Sequence, residues 1–260
     1  MPSETVLITG ASTGIGRELA RLFAQDGAKL ILTARSADKL RELANELKQK
    51  YQTESVVIPM DLGDPASPKI LVDEIASQGL QVDILINNAG FGQFGRFHEI
   101  PLERHLSMLR LNICALTELT YRIVPQMLER QRGNILNIGS TASFQPGPNS
   151  AVYYASKGYV LSMSEALYVE CKKKNVWVSC LCPGPTRTPF ATDSNMANTP
   201  VFRFNSMNVE DVAKAGHAAV RGKRRLVVPG FFNKLGAFFT RITVKPVLLW
   251  FMERLQPIND

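Results

Sequence analysis

The stretch that decides the fold is Val6-Leu7-Ile8-Thr9-Gly10-Ala11-Ser12-Thr13-Gly14-Ile15-Gly16, near the start of this 260-residue chain. Its first three residues form an apolar run, which predicts a buried β-strand. From Arg17 to Ala24 apolar residues recur at helical spacing, so a helix is expected directly after the glycines. A strand, a glycine-rich turn and a helix in this order form a phosphate cradle, because the turn exposes backbone N–H groups and the helix N-terminus carries partial positive charge.

The glycines of this turn are spaced Gly-x-x-x-Gly-x-Gly instead of the common Gly-x-Gly-x-x-Gly. In isolation, a tight turn with a helix cap would account for such a cluster. Because a strand and a helix flank it on the correct sides, we favour a nucleotide site. The residues expected to contact the nucleotide here are Gly10, Ser12, Thr13, Gly14, Ile15 and Gly16.

A second pattern, Tyr153-Tyr154-Ala155-Ser156-Lys157, places a tyrosine and a lysine four residues apart. On a helix this spacing puts both side chains on one face, one turn apart. An ammonium group beside a phenol stabilises the phenolate, so we expect the pKa of Tyr153 to fall from about 10 towards neutrality. Tyr153 is therefore a candidate general acid or base. Tyr154 has Gly158 at the corresponding position and lacks the lysine.

Further short blocks accompany these two patterns in a fixed order. They are Asp61-Leu62, Asn87-Asn88-Ala89-Gly90, Asn112, Ser140, and Pro183-Gly184 with Thr188. In this combination the chain resembles the single-domain branch of the short-chain dehydrogenase/reductase family. The extended branch of that family has a different glycine spacing and longer chains, and both differences argue against it.

The alternation of apolar and helical patterns agrees with the α/β fold that the resemblance implies. Strands are expected near residues 4–9, 28–33, 54–59, 82–87, 133–139, 176–182 and 225–228. Helices are expected near residues 14–26, 37–50, 66–78, 101–130, 152–174 and 209–221. This order predicts a single-domain, doubly wound parallel sheet of the Rossmann-like type, with ligands at the carboxyl ends of the strands. We expect a catalytic domain over residues 1–228 and a C-terminal amphipathic helical extension over residues 229–260.

The resemblance also implies chemical roles for four residues. Tyr153 would give a proton to the oxygen of a carbonyl substrate, while Ser140 would hold that oxygen and stabilise its developing negative charge. Lys157 would lower the pKa of Tyr153 and bind the nicotinamide ribose. Asn112 would position a water that links Lys157 to solvent. Taken alone, a serine that closes a strand is usually a turn residue, and an asparagine in a helix is usually structural.

Three further groups of residues correspond to cofactor contacts of the family. Asp61 and Leu62 correspond to the adenine site, and Asn88, Ala89 and Gly90 to the loop after the fourth strand. Pro183, Gly184 and Thr188 correspond to the loop at the carboxamide and pyrophosphate ends of the cofactor. Asn87 precedes the second group. We expect Asn87 and Asn88 to line the cofactor and, in part, to satisfy backbone groups of a turn.

The end of the second expected strand indicates which cofactor is bound. An acidic residue at this point would bind the adenosine ribose hydroxyls and select NAD. The chain has Ala34 there, followed directly by Arg35. A guanidinium suits a 2′-phosphate, because it forms paired, charge-assisted hydrogen bonds. We therefore expect NADP(H) to be favoured over NAD(H); the alternative is an exposed arginine at the start of a helix.

The substrate is expected to be apolar. Phenylalanines occur at positions 91, 94 and 97, in Pro189-Phe190-Ala191-Thr192 and in Phe202-Arg203-Phe204, where they would line an apolar pocket or belong to the core. An NADP-dependent enzyme that interconverts a carbonyl and an alcohol is the expected function, on a ketone, an aldehyde or a 3-oxoacyl compound. The alternative is a non-catalytic NADP-binding regulator on the same fold, a class that usually loses the Tyr or the Lys.

The C-terminal extension departs from many relatives, whose last strand is followed by Asp-Gly-Gly. From Arg221 to Lys245 the chain has basic residues and no acidic ones, and aromatic residues occur among them at helical spacing. Three interpretations stay open for this extension: a lid over the substrate entrance, a subunit interface or a peripheral membrane contact. Its apolar runs are too short for a membrane span. The net charge of +7 alone would suggest nucleic-acid binding, but we find no recognition motif for it.

The remaining features predict a cytoplasmic enzyme without a metal site. The first expected strand begins almost at once, which leaves no room for a signal peptide. Four cysteines are sparse, and Cys180 and Cys182 are expected to be buried thiols on one face of a strand. The three histidines form no ligand cluster. The resemblance implies a homo-dimer or homo-tetramer formed through the helices near 101–130 and 152–174.

Overall fold

A parallel sheet forms the centre of the molecule in a computed structural model, which describes residues 4–196, 199, 202 and 206–257. The described residues contain seven strands in the order β3-β2-β1-β4-β5-β6-β7. Their bounds are β1 Thr5–Thr9, β2 Lys29–Thr33, β3 Ser55–Val57, β4 Ile84–Asn87, β5 Gly133–Ile138, β6 Val176–Leu181 and β7 Leu226–Val227. All neighbouring pairs run parallel, so the predicted doubly wound α/β class is confirmed.

Helices connect the strands and follow the predicted positions closely. Their bounds are α1 Gly14–Gln25, α2 Ala37–Tyr51, α3 Ser67–Ser77, α4 Leu102–Leu109, α5 Leu116–Arg130, α6 Ala151–Cys171, α7 Pro189–Asp193, α8 Val209–Arg221, α9 Phe231–Ile242 and α10 Lys245–Leu255. The single helix expected near 101–130 is divided, because a π-helical segment over Arg110–Ala115 separates α4 from α5. Such segments contain one extra residue per turn and frequently occur at functional sites.

Two layers of helices bury the two faces of the sheet. Within β1 the side chains alternate: Val6 and Ile8 join the core on one face, and Leu7 joins the core on the other. Helices α1, α2 and α8 cover the first face, and α3 and α5 cover the second. The strand order reverses between β1 and β4, which places the switch point of the sheet at their carboxyl ends.

The C-terminal extension consists of helices α9 and α10. Leu248 and Met252 on the inner side of α10 are buried in a cluster that also contains Tyr153 and Tyr154. Within the described residues, no helix combines the length and the apolar character needed to cross a membrane.

Candidate active site

The turn between β1 and α1 is built for close backbone approach. Gly10 and Gly14 have φ values of +64° and +57°, a region that favours glycine. A Cβ on Gly10 would lie 2.8 Å from Asn88 Nδ2, and a Cβ on Gly16 would lie 2.5 Å from the same atom. Thr13 stands at the N-cap of α1 without a side-chain cap, so its first N–H groups stay available to an anion.

Thr9 and Asn88 hold the cradle in place. The Asn88 side chain donates hydrogen bonds to the carbonyl oxygens of Thr9 (2.9 Å) and Gly10 (3.0 Å). In return, Thr9 Oγ1 accepts hydrogen bonds from the backbone N–H groups of Asn88 (2.9 Å) and Ala89 (3.0 Å). These bonds join the ends of β1 and β4, the two strands at the switch point.

Asn87 differs from its neighbour. Its side chain is buried and donates hydrogen bonds to Thr120 Oγ1 (3.1 Å) and Asn137 Oδ1 (2.9 Å), and Asn137 in turn donates to Ser164 Oγ. The expectation that Asn87 lines a cofactor is therefore wrong. Its amide lies on the face of the sheet that α5 and α6 cover, and it joins β4 to β5. Successive side chains of a strand point to opposite faces, so Asn87 and Asn88 differ in direction.

A cleft of about 1090 Å³ runs along the carboxyl ends of the strands. Most of the residues expected to bind a cofactor line it: Gly10, Ser12, Thr13, Gly14, Ile15, Arg35, Asp61, Leu62, Asn88, Ala89, Gly90, Tyr153, Lys157, Pro183, Gly184 and Thr188. Gly16 does not; it is buried where α1 packs on Gly10 and Asn88. The tight glycine cradle at one end and the positive charge near Arg35 fit a dinucleotide phosphate chain.

Two basic residues line the part of the cleft that follows β2. Arg35 follows β2, and Lys39 lies four residues later in the first turn of α2. Both are exposed, and neither forms an ion pair with an acidic residue in the described part of the chain. Ser36, at the N-cap of α2, also lines the cleft without a side-chain cap bond. Arg35 and Lys39 therefore leave two positive charges without acidic partners in the described part of the chain at this place in the cleft.

Lys157 and Ser140 flank Tyr153 deep in the cleft. Lys157 is buried, its Nζ donates a 2.8 Å hydrogen bond to the carbonyl oxygen of Ile138, and Nζ lies 5.9 Å from the centre of the Tyr153 ring. Burial lowers the pKa of Lys157 to about 8. Ser140 caps the short 3₁₀ turn Thr141–Phe144, and its side chain lies near enough to Tyr153 to lower the pKa of that phenol. The predicted tyrosine, lysine and serine therefore meet at one point.

The pKa of Tyr153 moves against the sequence-based expectation. Burial raises the pKa of this phenol well above its usual range, and the nearby Ser140 side chain opposes this rise only in part. Desolvation disfavours the phenolate more than Ser140 favours it. In this state of the site Tyr153 is a protonated phenol, which is able to donate a proton.

Asn112 lies in the π-helical segment and does not line the cleft. Its Oδ1 accepts a hydrogen bond from Phe91 N–H (3.1 Å), and its Nδ2 donates to Phe91 O (2.9 Å) and to Ser156 Oγ (3.1 Å). Both amide protons are thus used, and Oδ1 keeps one lone pair for a further donor. A Cβ on Gly90 would lie 2.9 Å from this Oδ1 and 3.7 Å from Lys157 Nζ, which places the three residues side by side.

An apolar pocket adjoins Tyr153 on the side away from the glycine cradle. Phe190 packs on the Tyr153 ring at a centroid distance of 5.6 Å, and Phe91, Phe94 and Met196 belong to the same cluster. A Cβ on Gly92 would lie 2.9 Å from the Phe190 ring, so the chain approaches this pocket closely. Phe202 also lines it, whereas Arg203 and Phe204 lie outside the described residues.

Phe97 is not part of this pocket, although the sequence placed it with Phe91 and Phe94. Its side chain is 61% exposed, and its ring stacks on His105 at 4.8 Å between the ring centres. The His105 ring also meets the backbone oxygen of Phe97 at 3.0 Å. The residue therefore packs on the surface of α4, and the expectation of a pocket role is wrong for it.

The C-terminal extension contacts the wall of the cleft. Gln256 lines the cleft, and its side chain donates a hydrogen bond to Tyr154 Oη. Its backbone oxygen accepts a hydrogen bond from Asn149 Nδ2 at 2.8 Å. In α9 the buried Asn233 donates to Pro229 O (2.9 Å), and it sits so near Gly184 that any Cβ on this glycine would overlap it. The extension is thus anchored both at the substrate pocket and at the loop that includes Gly184.

Cys180 and Cys182 are fully buried free thiols behind Gly139, as expected, with 3.6 Å between their sulfur atoms. Among the described residues, no group of three or more His, Cys, Asp or Glu side chains is arranged to hold a metal ion.

The family model described as short chain dehydrogenase matches residues 4–199 of this chain. The chain belongs to the short-chain dehydrogenase/reductase family. As a member of this family it is an NAD(P)-dependent oxidoreductase.

Relatives of this short-chain dehydrogenase/reductase include enzymes with different substrates. Sulfoacetaldehyde reductase 2 of Chromohalobacter salexigens is 34% identical over 219 residues, which cover 82% of this chain and 86% of that protein. The very-long-chain 3-oxoacyl-CoA reductase of Rattus norvegicus is 34% identical over 185 residues, covering 69% of this chain and 58% of that protein. A solved short-chain dehydrogenase from Sphingobium yanoikuyae in complex with NADPH has a TM-score of 0.83 at 28% identity, covering 99% of this chain and 98% of that chain.

Three residues of this short-chain dehydrogenase/reductase were missed by sequence reasoning. Thr9 closes β1 and binds the backbone after β4. Lys39 has a weak signal in the sequence, since it is a second basic residue four positions after Arg35, at the start of the expected helix. Gln256 has none, because its contact with Tyr154 joins residues 102 positions apart.

Proposed function

We propose that this short-chain dehydrogenase/reductase interconverts a carbonyl and an alcohol on an apolar substrate, with NADP(H) as its preferred cofactor. The observation that carries the proposal is the position of the Tyr153 ring. It lies between Lys157 and Ser140 on one side and Phe190 on the other, where the cleft meets the apolar pocket. A carbonyl placed there would contact a proton donor, a hydrogen-bond donor and an apolar wall.

The residues act in sequence on the carbonyl oxygen. A bound nicotinamide supplies the hydride, or accepts it in the reverse direction. Ser140 orients the oxygen, and the Tyr153 hydroxyl, kept protonated by burial, donates the proton that the nascent alkoxide needs. Lys157 is mostly protonated at pH 7, because its pKa is about 8, and its charge stabilises the phenolate that remains.

Asn112 acts as a positioning residue in this proposal. It holds the loop at Phe91 by two hydrogen bonds and stands beside Lys157 across Gly90. The lone pair that stays free on Oδ1 would accept a hydrogen bond from a water, which would connect Lys157 to solvent as a proton path. The π-helical segment supports this role, since it turns Asn112 inward out of the normal helical register.

The preference for NADP(H) rests on Arg35 and Lys39. Two exposed cations without acidic partners in the described part of the chain favour a 2′-phosphate over a 2′-hydroxyl. The NADPH in the solved Sphingobium relative is in line with this proposal. The contacts of Asp61 and Leu62 with adenine, and those of Pro183, Gly184 and Thr188 with the nicotinamide end, belong to the same proposal.

The pocket suits an apolar body, and its edge also accommodates an anionic end. Phe91, Phe94, Phe190 and Met196 supply the apolar wall. At its edge Arg104 stacks on the Phe91 ring at 4.2 Å and donates a hydrogen bond to Gln93 Oε1 (3.0 Å), without an ion pair to a described acidic residue. A carboxylate, or the phosphate of a 3-oxoacyl thioester, would pair with this guanidinium.

The C-terminal extension acts as a lid over this pocket. Leu248 and Met252 are buried in the same cluster as the tyrosine pair, and Gln256 lines the cleft, which supports this role. We place the boundary of the catalytic domain at residue 228 and treat residues 229–260 as this lid. We also propose a cytoplasmic location. The proposed homo-dimer or homo-tetramer forms through α4–α5 and α6, which carry the exposed Tyr121, Tyr159 and Val169.

The experiment is a screen for NADPH oxidation by purified protein. Decanal, acetophenone and a 3-oxoacyl thioester are the apolar probes, and glyceraldehyde is the polar control. We expect turnover of at least one apolar probe and little turnover of glyceraldehyde. NADPH binding without oxidation by any carbonyl would contradict the enzymatic role and favour a non-catalytic regulator.

A further inference from the structure

The outer face of the C-terminal extension has an inverted amphipathic pattern. Along α9 the apolar side chains point to solvent, while Asn233, Ala237 and Thr240 lie on the inner, more buried side. Most of the large exposed apolar side chains among the described residues lie in this extension: Phe231, Phe232, Leu235, Phe238, Phe239, Ile242, Val244, Val247, Leu249, Trp250 and Phe251. We call this set the aromatic face. A patch of this size marks a binding surface.

The aromatic face is surrounded by positive charge. Lys234, Arg241, Lys245 and Arg254 lie on the same two helices, and Glu253 is the acidic residue among their described positions. Arg254 stacks on Trp250 at 3.7 Å. An element that lies in a membrane interface typically has phenylalanines, a tryptophan and long basic side chains that carry their charge outward.

We propose that the aromatic face docks on an anionic lipid bilayer. The positive charge around the aromatic face favours an anionic bilayer over a second copy of this chain as the partner. A second copy of this chain related by a two-fold axis would set the same four cations against themselves, with one carboxylate per copy to balance them. An anionic bilayer complements the charge, and its acyl region accepts the phenylalanines.

The dimensions fit a helix pair that lies on the membrane. Helix α9 has 12 residues, hence a length of about 18 Å, which is too short to span a bilayer but sufficient to lie along its surface. The inner side of α10 packs in the cluster that contains Tyr153 and Tyr154, so the outer side of this helix is the one that docking places against the lipid. The docking itself does not depend on the proposed reaction.

Vesicle co-sedimentation with the full-length protein tests the proposal without any turnover. The vesicles contain phosphatidylcholine alone or a mixture of phosphatidylcholine with phosphatidylserine. We expect binding to the mixed vesicles that weakens with salt, and little binding to phosphatidylcholine alone. Absence of binding to the mixed vesicles at low salt would overturn the proposal.

Surface variants separate the two parts of the interaction. Phe232→Ser with Phe239→Ser is expected to abolish binding, and Lys234→Glu with Lys245→Glu to weaken it by roughly thirtyfold or more. The matched controls are Ile70→Ser with Leu102→Ser and Lys173→Glu with Lys174→Glu, at exposed positions outside the extension. Controls that bind like the wild type support the proposal. Binding that survives the phenylalanine changes would overturn it.

Two further readouts use the protein itself. The chain has two tryptophans, so the Trp177→Phe variant reports on Trp250 alone. We expect its emission to shift to the blue on mixed vesicles and to be quenched by brominated lipid. Sedimentation equilibrium tests the alternative partner, a second copy of this chain, by measuring the oligomeric state. If the wild type is a dimer that dissociates in the phenylalanine variant while vesicle binding is unaffected, the face pairs with a second copy, and the proposal is wrong.

Discussion

Asn112 and Phe91 exchange two hydrogen bonds, in which the side-chain amide of the asparagine pairs with the backbone N–H and C=O of the phenylalanine. The pair joins the π-helical segment to the loop after β4. Because the same amide also binds Ser156 on α6, one residue connects three segments that surround Lys157. The geometry of the site therefore depends on the fixed backbone at Phe91 as well as on the side chains of the four candidate catalytic residues.

Replacement of Asn112 by alanine is expected to lower kcat by about a hundredfold, since the loop at Phe91 and the groups beside Lys157 lose their alignment. Affinity for NADPH should change little, because Asn112 does not line the cleft. Steady-state kinetics and a fluorescence titration measure the two effects. Asn112→Asp is the conservative control: it keeps the acceptor but loses both amide donors. A variant with unaltered kcat would refute the positioning role.

Arg35→Ala and Lys39→Ala are each expected to weaken NADPH binding by about tenfold to a hundredfold, because each removes a charge-assisted contact with the 2′-phosphate. NADH, which lacks this phosphate, should bind the variants as it binds the wild type. Titration with both cofactors gives the comparison. Arg41→Ala, at an exposed position two residues beyond Lys39, is the matched control. An equal loss for NADPH and NADH would remove the basis of the cofactor assignment.

The buried Lys157 predicts a pH-dependent stability. Its folded-state pKa is about 8, against 10.5 as the ordinary value, so the unfolded chain holds more protons between these pH values. Stability contributed by this residue therefore rises as the pH increases through this window, because deprotonation relieves the burial of a charge. Relative to Lys157→Met, the wild type should gain about 2 kcal/mol between pH 7 and pH 9.5.

Urea unfolding of both proteins at the two pH values measures this gain. The raised pKa of Tyr153 has the opposite sign and acts above pH 10, and it is common to both proteins. The difference between the two unfolding free energies therefore isolates the lysine. A difference that stays constant with pH would show that Lys157 is not desolvated.

Arg104→Gln is expected to raise KM about tenfold for an apolar carbonyl that also has a carboxylate or phosphate. KM for an uncharged ketone of the same size should stay within a few-fold, because the apolar wall is unchanged. The comparison needs one anionic and one neutral probe of matched chain length. Similar KM changes for both probes would show that Arg104 only supports Phe91.

The parts of the molecule that depend on local pattern were predictable. The strand, the glycine turn and the helix over Val6 to Ala24 follow from apolar spacing, and the resulting sheet is the one observed. The π-helical segment was not predictable, because one extra residue in a turn leaves the apolar pattern near 101–130 nearly unchanged. Contacts between residues distant in sequence, such as that of Gln256 with Tyr154, were also not predictable from local pattern.

The protonation of Tyr153 shows the same limit. The spacing of Tyr153 and Lys157 was read correctly, but the pKa of the tyrosine depends on burial. That burial comes in part from Phe190 and from Met252 in the distant extension. The place of Arg35 in the cleft, by contrast, follows from its position directly after β2, and Lys39 lines the same cleft four residues later.

The most direct test of the account compares Tyr153→Phe with Tyr154→Phe. The two tyrosines are neighbours and equally buried, so each variant removes one hydroxyl from a similar environment. We predict that Tyr153→Phe lowers kcat for carbonyl reduction by about 10²- to 10⁴-fold with little change in NADPH affinity, while Tyr154→Phe retains most of the turnover. Turnover by Tyr153→Phe at the wild-type rate would contradict the account.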